Sequence, residues 1–72
     1  MTPRQATALQ TIVTNRYSTV TDVAQALYGD DPTPAQMGAT VRVLRSLVRA
    51  GHTMTTTDDY GHTVYTTHRS TR

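Results

Sequence analysis

Arg42, Arg45 and Arg49 follow one another at spacings of three and four, and no acidic residue lies within four positions of any of them. On a helix those spacings put three guanidinium groups on one face, within about 60° of each other. A guanidinium is a planar fork of donors that suits phosphate oxygens or the O6/N7 edge of guanine. The same stripe would also serve as an ordinary solvated face. All seven basic residues of the 72-residue chain are arginine and all five acidic residues are aspartate. That usage, with its sixteen threonines, looks like translation from a G+C-rich genome, which speaks of origin and not of mechanism. A pI near 9.5 fits a nucleic-acid partner, but a net charge of +2 is a weak balance.

Other chemistry has less support. His52, His62 and His68 invite a metal, with Asp58 or Asp59 as a further ligand, yet no short-range ligand motif joins them. No metal and no cofactor is expected. The aspartates fall in turns and helix starts, there is no glycine-rich phosphate loop, and no serine–histidine pairing is indicated. An enzyme is not expected, because so short a chain has little room for a walled pocket. Without cysteine there are no disulfides. No apolar run approaches the roughly 20 residues of a membrane span, and MTPRQATALQ lacks the apolar stretch of a signal peptide. The expectation is a soluble cytoplasmic domain that touches no membrane and no evident small-molecule ligand.

The elements that must position the arginines are punctuated clearly. Thr2-Pro3 opens a helix over about residues 3–15, with Ala6, Leu9, Ile12 and Val13 at helical spacing. Arg16 to Thr19 is a connector with one or two residues of extended chain. A second helix begins near Val20 or Thr21, carries Val20, Val23, Ala24, Leu27 and Tyr28 on one stripe, and stops at Gly29. Gly29-Asp30-Asp31-Pro32 is a turn. Thr33-Pro34 repeats the cap-plus-proline signal and starts the longest helix, about 34–50, ended by Gly51. Its apolar line is Met37, Val41, Leu44 and Val48, with Leu47 beside it, so Ala35, Gly38, Arg42, Arg45 and Arg49 face solvent. Residues 53–57 and 62–67 are rich in β-branched types around Asp58-Asp59-Tyr60-Gly61, which signals a β-hairpin. The expected fold class is α+β: three helices followed by a two-stranded β-hairpin in one domain, 1–67, with 68–72 as a frayed tail.

That layout resembles the winged helix-turn-helix of small bacterial or phage transcription regulators. The resemblance is sharpest at Val41-Arg42-Val43-Leu44-Arg45-Ser46-Leu47-Val48-Arg49-Ala50-Gly51, which looks like the end of a recognition helix, and at Val64-Tyr65, which closes the wing. Two residues depart from the family pattern. His52 stands where a large aliphatic is usual, and Asp58 and Asp59 occupy a wing tip that is usually basic. Such a wing either points away from DNA or meets something else.

The resemblance implies sequence-specific binding of duplex DNA by the third helix, in a transcription regulator such as a repressor. Thr33, Gln36, Ala39 and Arg42 would lie nearest the base edges, while Arg45 and Arg49 would clamp phosphates. Gly38 and Ala39 are small enough for close approach to the groove, or for packing on a neighbouring helix. Ser18, Thr19 and Thr21 either cap the second helix or donate to a phosphate. Arg4 and Arg16 add attraction or solubility, and Tyr17 and Tyr28 cover the core's edge. One recognition helix spans few base pairs, so a homodimer on a two-fold site is expected, through helix 1 or the hairpin edge. The rival expectations are a protein-interaction module that keeps the fold without binding DNA, and an excisionase-like architectural protein. The acidic wing argues against the latter.

Overall fold

Each helix begins with a threonine whose side chain closes a reciprocal cap. Thr2 Oγ1 accepts from Gln5 N–H at 3.1 Å while Gln5 Oε1 accepts from Thr2 N–H at 2.8 Å. Thr19 with Asp22, and Thr33 with Gln36, repeat the arrangement. Each box satisfies two backbone donors that a helix start otherwise leaves orphaned. In the computed structural model, which describes residues 1–67, the helices are α1 (Pro3–Asn15), α2 (Val20–Tyr28) and α3 (Pro34–Arg49). Strands β1 (Tyr17–Ser18), β2 (Met54–Thr57) and β3 (Thr63–Thr66) complete an α+β fold. The frayed tail expected at 68–72 lies outside the described residues. No helix among those described is long and apolar enough to cross a membrane.

The sheet corrects the expected two-stranded arrangement. It has three antiparallel strands in the order β1-β3-β2. The connector between α1 and α2 contributes β1, which pairs Tyr17 with Thr66 and Ser18 with Tyr65, on the edge of β3 opposite β2. A hairpin in isolation is marginal in water, and a third strand plus helix packing makes it viable. Only β2 then keeps the hairpin's open edge, and all four of its residues are exposed. The connector also carries the one non-glycine positive φ among the described residues, Arg16 at 67°, where α1 turns sharply into β1.

The core joins all three helices to the sheet through Ala8, Ile12, Val23, Leu44, Leu47 and Tyr65. On α3 the buried residues are Thr40, Leu44 and Leu47, so the inward face is rotated by about 60° from the expected Met37–Val41–Leu44–Val48 line. Met37 and Val41 are only half-buried. Thr40 can sit at 0% exposure because its hydroxyl donates to the Gln36 carbonyl at 2.8 Å.

Helix α3 ends in a Schellman motif. His52 N–H donates to Leu47 C=O at 2.9 Å and Gly51 N–H to Val48 C=O at 3.0 Å, with Gly51 at φ 82°. The motif's hydrogen bonds form with the exposed His52 in the position where an apolar contact often accompanies them. The β2–β3 turn is closed by Gly61 N–H to Asp58 C=O at 3.1 Å and Asp58 N–H to His62 C=O at 2.9 Å.

Candidate functional site

Arg42, Arg45 and Arg49 are all exposed on the side of α3 opposite Thr40, Leu44 and Leu47. The core residues fix the helix's rotation, and the rotation presents the arginines. Among the described residues the only ion pair joins His62 and Asp58, so none of the three arginines is neutralised by a carboxylate. The face is therefore an unpaired band of positive charge on a rigid rod.

Two shallow grooves flank this band. On one side Arg45, Val48 and Arg49 meet Thr55 and Tyr65 of the sheet. On the other, Arg42, Val43 and Ser46 face Thr2, Arg4 and Gln5 at the start of α1. Gln5 Nε2 donates to Ser46 Oγ at 2.8 Å, which pins α1 to α3 across that second groove. The arginine at position 4 thus belongs to the same surface as Arg42, although 38 positions separate them. Its place in the first turn of α1, where a cation opposes the helix dipole, was the one sequence signal of a role outside the helix. Tyr65 was marked only as part of the Val64-Tyr65 pair that closes the hairpin, and Thr55 had no such signal.

The remaining candidate residues divide by use. Thr33 and Gln36 spend their side-chain oxygens on each other's backbone at the start of α3. The amide nitrogen of Gln36 takes no part in that cap, and Gln36 and Ala39 are both half-buried. Thr19 is likewise the cap of α2, and the exposed Thr21 lies in its first turn. Neither lines the two grooves beside α3. Ser18 is a buried strand residue with its hydroxyl unpartnered among the described residues, so it caps nothing there.

The acidic turn is organised around one carboxylate. Asp58 Oδ1 accepts from Tyr60 N–H at 2.9 Å and from His62 N–H at 2.8 Å, and Oδ2 lies 3.6 Å from His62 Nδ1. The backbone bond from His62 is the largest influence and holds this carboxyl below its ordinary pKa; desolvation opposes it, and the bond from Tyr60 and the imidazole beside it add to the lowering. Asp59 is exposed, and with Asp58 it borders a groove on the outer face of the sheet beside Tyr17, Thr56 and Val64. Among the described residues no three of the histidine and aspartate side chains gather into a metal-ligating group.

No family model, curated protein or solved structure matches the chain.

Proposed function

We propose that this chain is a winged helix-turn-helix domain that binds duplex DNA through the exposed face of α3 and acts as a transcription regulator. The observation that carries the reading is the band of Arg42, Arg45 and Arg49, exposed on one side of α3 and unpaired with any carboxylate among the described residues. An α-helix with side chains is about 10–12 Å across, which matches the B-DNA major groove of about 12 Å. In this reading α2, the turn at 29–33 and α3 form the helix-turn-helix, and β2 and β3 form the wing. Gln36, Ala39 and Arg42 lie towards the base edges, and Arg45 and Arg49 towards the backbone phosphates. A homodimer on a two-fold site supplies the rest of the specificity, with α1 or the open edge of β2 as its contact surface.

Fluorescence-polarisation titration against a pool of random duplexes, repeated at several salt concentrations, tests this directly. Binding that weakens steeply with salt is expected, because phosphate contacts release condensed counterions. The double substitution Arg42→Ala and Arg45→Ala should abolish that binding and leave the circular-dichroism spectrum unchanged. Absence of binding by the wild-type chain at low salt would sink the reading.

A second reading, a winged-helix protein-interaction module, is favoured by the Asp58–Asp59 turn, whose carboxylates would repel a phosphate backbone. The arginine band would then meet an acidic protein surface, and the same titration separates the two.

A further inference from the structure

We propose that the groove between the first turn of α1 and the middle of α3 holds a backbone phosphate of the duplex, bound by Arg4 with Arg42 on the facing wall. The inference rests on the DNA-binding reading of α3 and extends that surface onto a helix outside the helix-turn-helix. Both arginines line this groove with Gln5, Val43 and Ser46, and no carboxylate among the described residues borders it. Neither has an ion-pair partner among the described residues. Two uncompensated guanidinium groups across one shallow groove repel each other and attract an anion that sits between them.

Three features prepare the site. The Arg4 guanidinium carbon lies 5.4 Å from the centroid of the Tyr28 ring, a cation–π contact that restricts the side chain. A guanidinium held over a ring keeps its in-plane N–H groups available, and those are the donors a phosphate takes. The Gln5–Ser46 hydrogen bond, with Ser46 Oγ in turn donating to Val43 C=O at 2.6 Å, fixes the distance between the groove's walls. The start of α1 is already capped by Thr2 and Gln5, so the arginines and not the helix end would hold the anion. Helix stability does not account for Arg4, since a cation in a first turn opposes the dipole.

The test compares Arg4→Gln with Arg16→Gln, which removes the same charge from the other end of α1. Each variant and the wild type are titrated with a duplex of fixed sequence, and with a second unrelated duplex, across a salt series. Arg4→Gln should lower the slope of log affinity against log salt by about one. It should also weaken both duplexes by the same factor, as a phosphate contact does. Arg16→Gln should leave the slope at the wild-type value. Tyr28→Leu, which frees the guanidinium without removing it, should weaken binding by less than Arg4→Gln and keep the wild-type slope. An unchanged slope for Arg4→Gln, in a protein that still binds DNA, overturns this site and leaves the α3 reading standing. An equal fall in both arginine variants also overturns it, because net charge would then be the cause. Failure of the wild type to bind any duplex removes the α3 reading and this inference with it.

Discussion

Arg42, Arg45 and Arg49 stand exposed on α3 with no carboxylate partner among the described residues, whereas Asp58, on the β2–β3 turn, accepts two backbone hydrogen bonds and lies against His62. Both regions are charged and both sit at the surface, but the fold uses them unequally. The aspartate does the work of closing a turn, and its charge is largely spent on local donors. The arginines contribute nothing visible to the packing of α3, whose inward face is complete without them. Arg49, in the last turn, favours the α3 dipole, while Arg42 and Arg45 have no comparable use within the fold. This contrast makes the arginine band a better candidate site than the turn, despite the turn's own cluster of titratable groups.

The most damaging change is one that removes the support common to both regions. Leu44 is fully buried behind the arginines and belongs to the same cluster as Tyr65 of β3. Leu44→Ala should cost about 2–5 kcal/mol. The whole stability expected of a domain this size is about 4–11 kcal/mol. The variant should therefore melt far below the wild type, with α3 and the hairpin lost in one transition by circular dichroism and by the Tyr65 resonances. Separate melting of the two would break the comparison, since the regions would then not share a core. The double arginine variant is the counterpart: its stability should stay within about 0.5 kcal/mol of wild type.

Much of this was legible from spacing. The three helices stand where Thr-Pro pairs, apolar periodicity and glycine stops place them, and β2 and β3 fall where β-branched residues cluster. Strand β1 was not legible as a sheet member, because two residues offer no alternation to read and Ser18 is buried only by tertiary packing. The rotation of α3 was misjudged for a different reason. Counting apolar residues passes over Thr40, yet a threonine that donates to the carbonyl four residues back can sit in the centre of a buried face. The arginines lie opposite Thr40, Leu44 and Leu47, whereas Arg45 is only about 70° from the centre of the Met37–Val41–Leu44–Val48 line. The observed rotation therefore turns the arginine face further from the core than the apolar residues alone imply. Arg4 did not emerge as part of the site, since its approach to Arg42 exists only once α1 packs on α3. Thr33 was legible as a cap from the Thr33-Pro34 pair, but the share of Gln36 in that cap was not, and it leaves only the Gln36 amide nitrogen for any contact with bases.

Polar groups left unpartnered inside the fold should behave differently from the arginines left unpartnered outside it. The hydroxyls of Ser18 and Thr53 are buried with no hydrogen-bond partner among the described residues. A buried donor without a partner carries a desolvation cost that an exposed guanidinium does not. Thr53→Val, which keeps the shape and removes the hydroxyl, should raise stability by about 1 kcal/mol. For a domain of this size that is a rise in Tm of about 4–8 °C by scanning calorimetry. A fall in Tm would mean that the hydroxyl is satisfied and that the interior tolerates less than the surface comparison assumes.

The smallest expected effect probes the turn alone. The Asp58 carboxyl is held below its ordinary pKa chiefly by the backbone N–H of His62, with the bond from Tyr60 and the nearby imidazole acting in the same direction. A lower pKa in the folded state means that the folded chain binds fewer protons than the unfolded one. The resulting support for the turn is fully present above the unfolded carboxyl value of about 3.9, and is lost as pH falls through the folded value. The amide resonances of Tyr60 and His62 should therefore shift together at the acid end of a titration from pH 6 to 2. Asp58→Asn keeps an oxygen acceptor for those two amides and cannot titrate, so its turn should form and its amide shifts stay flat. Persistence of the acid shift in Asp58→Asn would show that another group drives it. The turn's carboxylate would then be as idle in the fold as Arg42 and Arg45 of α3, and the contrast between the two regions would disappear.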